Sequence, residues 1–329
     1  MKTDPPAGRL LPSHAFLAVL LLLCFGTRAH ALKPERGYRA VPADYGIICR
    51  EVTIVTRDSI SLRGWFFPAQ DTAGIANDLL GVSIPVPPER RPAARPYRAP
   101  HGAPRPTVVL CDGDGGNMTY SIFYAYNLFT RGFNVLTFDW RGFGESTEWP
   151  LDPNRLCATE FLVDYDAAID FAVAQPEVDR AGVGVLGFST GAYLSFAEAV
   201  RRPEVRAFAG RALITSFDDL LRVLKKLDAG RPWTAPVDYP RDLLPIHAAG
   251  RMRVPAFLVV GENDRRTPPW MSKKVFAEIR GPKEIWVVPG AEHGGAKAPE
   301  MATYPEFFVR LAKFFGKHLA SKTGDGAHR

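Results

Sequence analysis

The chain has 329 residues, of which 46% are hydrophobic and 23% are charged, an ordinary globular composition. This length suits one large α/β domain or two small ones. The formal net charge is +6, but the sequence has no long lysine or arginine run, which argues against a nucleic-acid-binding protein.

The first 31 residues have the features of a secretory signal. Lys2 and Arg9 form a basic end, residues 15–25 form an apolar core, and Ala29-His30-Ala31 is an A-x-A cleavage site. We expect cleavage near Ala31 and export to a periplasm or the exterior. An uncleaved membrane anchor is the alternative, although the apolar run is short for a span. Three cysteines would remain after cleavage: Cys49, Cys111 and Cys157. In an oxidising compartment they allow one disulfide and leave one thiol over.

Two strands and a long irregular segment follow. Residues 47–56 place Val52 and Ile54 on one face by alternation, and residues 61–68 end in an apolar run that Pro68 stops; the short polar link between them predicts a hairpin. Residues 69–106 interleave prolines with five arginines, so a central strand or a regular helix is excluded there. We interpret this segment as a surface excursion, either simply solvated or in weak contact with a membrane surface.

The most informative stretch is Gly187-Phe188-Ser189-Thr190-Gly191, which ends an apolar strand and begins a helix-compatible run. A G-x-S-x-G pentapeptide between a strand and a helix is typical of a nucleophile elbow. We predict Ser189 as the nucleophile. The backbone N–H of Thr190, at the helix N-terminus, is a predicted oxyanion donor.

The loop Asp112-Gly113-Asp114-Gly115 follows a buried strand at residues 107–111 and has two interpretations. Asp-x-Asp-Gly begins like a calcium loop, but the remaining ligands of such a loop are missing. The alternative is a glycine-rich loop that supplies a second oxyanion N–H. The order of elements favours this second interpretation.

A strand at residues 133–139 runs into Asp139-Trp140-Arg141-Gly142-Phe143-Gly144-Glu145-Ser146. This D-x-R-G-x-G-x-S series, between a glycine-rich turn and G-x-S-x-G, resembles the α/β-hydrolase superfamily. Within it the chain looks like single-domain serine hydrolases with small caps, which include esterases, thioesterases and depalmitoylases. The resemblance covers about residues 45–318.

The resemblance implies an α/β-hydrolase fold, in which helices flank a mostly parallel central sheet and a small cap is inserted. It implies that the backbone N–H of Asp114 is the second oxyanion donor. It also implies that four residues brace the active-site wall: Asp139, Arg141, Gly142 and Ser146. One departure is Asp112, which stands where such proteins carry histidine. A carboxylate beside an oxyanion is unfavourable unless it points away or is neutralised.

The remaining triad members are predicted at the ends of the last two strands. Asp264 follows an apolar strand at residues 254–260, as expected for a triad acid, with Glu262 as the runner-up. His293 follows a strand at residues 283–289 and is flanked by glycines, which suits the general base. The chain order of Ser189, Asp264 and His293 is that of α/β-hydrolases.

Between these elements the pattern predicts a strand at residues 211–215 and a small cap at residues 217–250. The cap begins with an amphipathic helix at residues 217–227. Phe188, Trp233 and Tyr239 are candidate substrate contacts, with packing as the alternative role for the two cap aromatics. Helices are also predicted at residues 120–130, 159–173 and 304–319. The hydrolase domain is expected to span residues 32–320, before a disordered tail from residue 321.

These observations predict a serine hydrolase that cleaves a carboxylic ester or thioester through an acyl-enzyme, in the carboxylic ester hydrolase class EC 3.1. A medium acyl chain suits an aromatic-lined pocket. Neither a metal nor an organic cofactor is expected. A serine peptidase or amidase of the same fold is one alternative. A catalytically silent binding protein is the other, and Asp112 and residues 69–106 support it.

Overall fold

An eight-stranded, mostly parallel sheet organises the molecule. The computed structural model describes residues 31–71, 87–93, 95–98 and 103–319. The predicted signal segment up to residue 30, much of the proline–arginine segment and the tail from residue 320 lie outside the described residues.

The strands are β1 (Lys33–Pro34), β2 (Arg50–Val55), β3 (Ser61–Phe67), β4 (Arg105–Cys111), β5 (Gly115–Gly116), β6 (Asn134–Phe138), β7 (Val178–Phe188), β8 (Val205–Arg211), β9 (Ala256–Gly261) and β10 (Lys283–Val288). The α-helices are α1 (Ser121–Phe129), α2 (Phe161–Ala174), α3 (Thr190–Arg201), α4 (Phe217–Leu227), α5 (Pro245–Ala248), α6 (Pro269–Glu278), α7 (Pro299–Ala302) and α8 (Glu306–Leu319). Short 3-10 helices lie at Pro42–Tyr45, Pro88–Arg90, Met118–Tyr120, Arg241–Leu243, Ala249–Arg251 and Gly295–Lys297.

The large sheet has the order β10-β9-β8-β7-β4-β6-β3-β2. Strands β2 and β3 form the predicted antiparallel hairpin, β3 pairs antiparallel with β6, and the remaining neighbours are parallel. The central strands are buried along almost their whole length because helices cover both faces. Because β4, β7, β8, β9 and β10 run parallel, their carboxyl ends lie at the same edge of the sheet.

Two hydrophobic layers enclose the sheet. One contains residues of α2, α3 and α6, with Tyr165, Tyr193 and Phe196 among its largest side chains. The other joins α1 to α8 through an aromatic cluster that includes Phe123 and Phe308. This arrangement is the α/β-hydrolase fold that the sequence predicted.

The amino-terminal residues of the described chain attach to the loop after β4. Strand β1 pairs in parallel with β5, and the Lys33 N–H donates to the Asp114 carbonyl at 2.7 Å. Ala31 and Leu32, on either side of the predicted cleavage point, are buried. In the described part of the chain, no helix is both long enough and apolar enough to cross a membrane.

Several details differ from the sequence predictions. The strand predicted at residues 211–215 is wrong: β8 runs from Val205 to Arg211, and residues 212–215 are a buried connection. The apolar run Ala212-Leu213-Ile214 produced this error, because buried loop residues and buried strand residues are equally apolar. Cys49, Cys111 and Cys157 are all free thiols. In the proline–arginine segment, Arg91 pairs with Asp44 at 2.9 Å and Arg95 with Asp71 at 3.2 Å.

Candidate active site

Ser189 lies in a sharp turn between β7 and α3. Its backbone has φ 53° and ψ −111°, a left-handed conformation that is unfavourable for a residue with a Cβ atom. The turn is held by the Ser189 N–H, which donates to the Arg211 carbonyl at 2.9 Å. Such strain at a strand-to-helix turn is the geometry of a nucleophile elbow. Ser189 itself is only 5% exposed.

The two glycines of the pentapeptide permit this turn. A Cβ atom on Gly191 would overlap the carbonyl oxygens of Cys111 and Asp112 at the end of β4. A Cβ atom on Gly187 would overlap Ala192 and the side chain of Ser195 in α3. The absence of side chains therefore brings the loop after β4 directly against the elbow, as an oxyanion site requires.

Asp264 and His293 are brought together by neighbouring strands. Asp264 follows β9, His293 follows β10, and the Asp264 Oδ2 to His293 Nδ1 distance is 2.8 Å. When Nδ1 carries the proton and donates it to Asp264, Nε2 keeps the lone pair that a general base needs. The ring centroids of His293 and Phe188 are 5.2 Å apart, so the imidazole lies against the residue that precedes the elbow serine.

The Asp264 carboxylate accepts hydrogen bonds from Thr267 as well as from His293. The backbone N–H of Thr267 donates to Oδ1 at 2.8 Å, and the Thr267 hydroxyl donates to Oδ2, also at 2.8 Å. Burial acts to raise the pKa of the Asp264 carboxyl, but the hydrogen bonds from His293 and Thr267 outweigh it and leave that pKa below its usual value. The carboxylate is therefore ionised and fixed. Glu262, the runner-up acid, instead accepts a bond from the Gly290 N–H.

The two aspartates after β4 have different partners. The Asp114 carboxylate forms an ion pair with Arg266 at 2.7 Å. The Asp112 carboxylate accepts a hydrogen bond from the Ser121 hydroxyl, and burial raises its pKa to about 6 despite that bond. In the part of the chain that the structure describes, these two carboxylates do not belong to any group of three or more His, Cys, Asp or Glu side chains that could hold a metal ion.

The residues of the D-x-R-G-x-G-x-S series form a largely buried hydrogen-bonded network. Asp139 accepts bonds from the Met118 N–H and the Tyr38 hydroxyl, both at 2.7 Å, while burial raises its pKa to about 7. The Ser146 hydroxyl donates to the Asp139 carbonyl at 2.7 Å. Arg141 is fully buried and bonded to Asp58 and Asp164. These contacts fix the segment that follows β6, but Asp139, Arg141, Gly142 and Ser146 do not line the cavity beside His293.

A cavity of about 680 Å³ lies beside His293 and the loop after β4. Phe188 lines it, together with Asp112, Gly113 and Asp114. Trp233 and Tyr239 do not line it. Their side chains are 4% and 3% exposed, the Trp233 indole N–H donates to the Asp228 carbonyl, and the Tyr239 ring packs on Phe217. The structure thus brings Phe188 to the cavity and places the two cap aromatics in the packing of the cap.

Arg211 and Thr267 are site residues that the sequence did not single out. Arg211 ends β8, is 4% exposed, and donates through Nη1 to the His293 carbonyl at 2.7 Å. Its guanidinium lies 3.5 Å from the centre of the Phe188 ring. A charged residue at the carboxyl end of a buried strand would have indicated Arg211. The sequence prediction instead began a strand at residue 211, so this signal was missed. Thr267 lies three residues after Asp264, a spacing that allows its hydroxyl to reach back to the carboxylate.

Residues 119–322, more than half of the chain, match the model of the prolyl oligopeptidase family. The chain belongs to this family. The matched region includes the elbow and both loops that carry Asp264 and His293. The resemblance to the α/β-hydrolase superfamily is therefore confirmed, and membership supports a hydrolase.

The chain is also similar to individual proteins, at low sequence identity. The uncharacterized protein Rv2307c of Mycobacterium tuberculosis is 26% identical over 245 residues, which cover 74% of this chain and 72% of that protein. The solved esterase Pf2001 of Pyrococcus furiosus has a TM-score of 0.62 at 18% identity and covers 88% of this chain and all of its own. An acetyl xylan esterase from Paenibacillus sp. R4 has a TM-score of 0.58 at 17% identity, over 82% of this chain and 83% of its own. At these identities the structures establish the shared fold.

Proposed function

We propose that this protein is a serine hydrolase that cleaves a carboxylic ester through an acyl-enzyme on Ser189. The observation that carries the proposal is the Asp264–His293 hydrogen bond of 2.8 Å, with the His293 ring against Phe188, the residue before the strained elbow serine. His293 accepts the proton of the Ser189 hydroxyl as the oxygen attacks the acyl carbonyl, and Asp264 stabilises the imidazolium. His293 then protonates the leaving alcohol, and water cleaves the acyl-enzyme.

The oxyanion of the tetrahedral intermediate would be bound by the backbone N–H groups of Thr190 and Asp114. Thr190 begins α3, so its N–H has the helix dipole behind it. The Asp114 carboxylate would oppose a nearby negative charge, but Arg266 neutralises it at 2.7 Å. One such donor contributes roughly 10²–10³ to the rate.

Labelling with a fluorophosphonate probe tests the nucleophile. The wild-type protein should be labelled covalently, and Ser189→Ala should abolish labelling while the fold is retained. Ser146→Ala is the matched control, because it removes a second serine of the same region whose hydroxyl is already bonded to the Asp139 carbonyl. Labelling that persists in Ser189→Ala would refute the assignment. An unlabelled wild-type protein would favour the catalytically silent alternative.

Amide hydrolysis is the second candidate, since the family model that matches the chain is that of prolyl oligopeptidases. A panel in which one acyl group is presented as an ester, a thioester and an amide separates the possibilities. We expect the largest kcat/KM for the ester. Faster turnover of the amide would replace the esterase proposal with a peptidase or amidase. Faster turnover of the thioester would replace it with a thioesterase.

A further inference from the structure

The loop that carries His293, residues 290–297, has little packing on its outer side. A Cβ atom added to Gly290, Gly294 or Gly295 would meet nothing within 4 Å. Residues 294–297 are exposed. A general base, however, must be held within about 0.5 Å of its productive position relative to the nucleophile. Contacts from inside the molecule must therefore fix this loop.

Arg211 supplies such a contact. Its Nη1 donates to the His293 carbonyl at 2.7 Å, and its side chain is 5% exposed. Glu300 of α7 holds the same guanidinium, with Oε1 at 3.2 Å from Nη2. His293 therefore has two attachments, because Asp264 holds the ring at Nδ1 and Arg211 holds the backbone carbonyl. A residue held at Nδ1 alone could pivot about that hydrogen bond, and the second attachment removes this freedom.

Arg211 also contacts the elbow at two points. Its backbone carbonyl accepts the Ser189 N–H at 2.9 Å. Its guanidinium lies 3.5 Å from the centre of the Phe188 ring, and the His293 ring centroid is 5.2 Å from that same centre. Phe188 thus contacts both the guanidinium and the imidazole. One residue thereby connects the turn of the proposed nucleophile with the loop of the proposed base.

The shape of a guanidinium suits these contacts. It is planar and carries its N–H donors in fixed directions, so two of its nitrogens can bind two oxygens while its flat face lies on an aromatic ring. Resting on the proposed function, we propose that Arg211 is a positioning residue that holds His293 in the orientation that faces Ser189. Glu300 in turn orients Arg211. Although Arg211 lines the cavity, it is 4% exposed, and its role is exerted through His293 rather than on a substrate.

A double variant separates positioning from a purely structural role. Arg211→Met alone leaves the Glu300 carboxylate buried without its cation, so it should lower the unfolding midpoint in urea. Combining Arg211→Met with Glu300→Gln removes both charges and should recover most of that loss. The His293 carbonyl still lacks its donor in the double variant. Its kcat for an ester should therefore stay at least about tenfold below that of the wild type.

The division of the effect between kcat and KM separates positioning from substrate binding. A misplaced base lowers kcat and kcat/KM equally, so the KM of the double variant should stay within about twofold of the wild-type value. A smaller loss of kcat would show that Arg211 only stabilises the fold. A larger rise in KM would show that Arg211 binds the substrate. Either result would overturn the proposal.

Arg50→Met combined with Glu177→Gln is the matched control. Arg50 also pairs with a buried glutamate, at 3.6 Å, and its guanidinium also lies over an aromatic ring, that of Phe66. Glu177 precedes β7, at the end of the strand opposite to Ser189. This control should keep the wild-type kcat, and a loss equal to that of the Arg211 double variant would contradict the proposed role.

Hydrogen exchange gives a readout that needs no turnover. The amides of residues 290–297 should exchange at least about fivefold faster in the Arg211 double variant, because the loop has lost an inner attachment, while α2 exchanges as in the wild type. Unchanged exchange in the loop would overturn the proposal.

The two proposals fail in different ways. If Ser189 is not the nucleophile, fluorophosphonate labelling will survive Ser189→Ala or be absent from the wild type, whether or not loop exchange depends on Arg211. The positioning role then falls with the proposed function. If only the positioning role is wrong, the Arg211 double variant will be labelled at the wild-type rate while labelling still depends on Ser189. The proposed function then stands.

Discussion

Replacing Asp112 with asparagine should stabilise the protein increasingly as the pH rises. Burial raises the pKa of the Asp112 carboxyl from 3.8 to about 6, because the ionised form loses solvation. The folded state then binds this proton more tightly than the unfolded state does. Stability is therefore lost as the pH rises through the interval between the two values.

The size of the effect follows from that interval. A raised pKa of about two units corresponds to about 3 kcal/mol of stability lost at alkaline pH, and about 1 kcal/mol of it is already lost near about pH 4.5. The stability advantage of Asp112→Asn over the wild type should thus grow by about 2 kcal/mol between about pH 4.5 and about pH 8. Glu198, a buried carboxyl whose raised pKa does not depend on Asp112, titrates in both proteins and cancels in the difference. The Asp112 charge helps to raise the pKa of Asp139, so its removal acts in the same direction as the effect on Asp112 itself.

Urea unfolding at the two pH values measures this difference. Asp218→Asn makes the same chemical change at an exposed carboxylate and controls for the loss of a charge. The reasoning is refuted if the advantage of Asp112→Asn is the same at both pH values, or if it shrinks at the higher one.

Three further substitutions test the proposed site and the buried ion pairs of Arg141. Asp264→Asn should lower kcat for an ester by about 10⁴ while the unfolding midpoint in urea stays near that of the wild type, because the imidazolium loses its counter-charge; a decrease below tenfold would exclude a triad role. Arg266→Gln should lower kcat about tenfold by leaving an uncompensated carboxylate beside the oxyanion site, and an equal decrease in the exposed neighbour variant Arg265→Gln would contradict this reason. Arg141→Met should destabilise the fold by about 3–5 kcal/mol in urea unfolding, since it strands a buried carboxylate, whereas Arg57→Met, at a side chain 69% exposed, should change stability by less than about 0.5 kcal/mol.

The elbow could be predicted from sequence because its constraints are local. Only glycine fits at position 191, where a Cβ atom would strike the backbone of the neighbouring strand's loop. Asp264 and His293 could be predicted because each follows a strand and parallel neighbours end at the same edge of a sheet. Short-range patterns and one topological rule thus sufficed to single out all three residues of the proposed triad.

The cavity could not be predicted in the same way. Its lining joins residues 112, 124, 211 and 300, among others, and no spacing in the sequence links them. The orientation of Trp233 was equally inaccessible, because an aromatic residue in an irregular segment is compatible with either packing or substrate contact. In the structure, the Trp233 indole N–H donates to the Asp228 carbonyl, and this contact orients the ring for packing. Side-chain direction in loops depends on tertiary contacts rather than on pattern.

The presence of aspartate at position 112 argues less strongly against catalysis once the two loop aspartates are considered separately. Asp114 is the proposed second oxyanion donor through its backbone N–H, and its carboxylate is neutralised by Arg266. Asp112 instead hydrogen-bonds to Ser121 and lines the cavity, where its raised pKa limits the charge it carries near neutral pH. The acid that stands at the unusual position therefore lines the cavity. We expect Asp112 to influence which group binds in the cavity, whereas the proposed oxyanion site should depend on the Asp114–Arg266 pair.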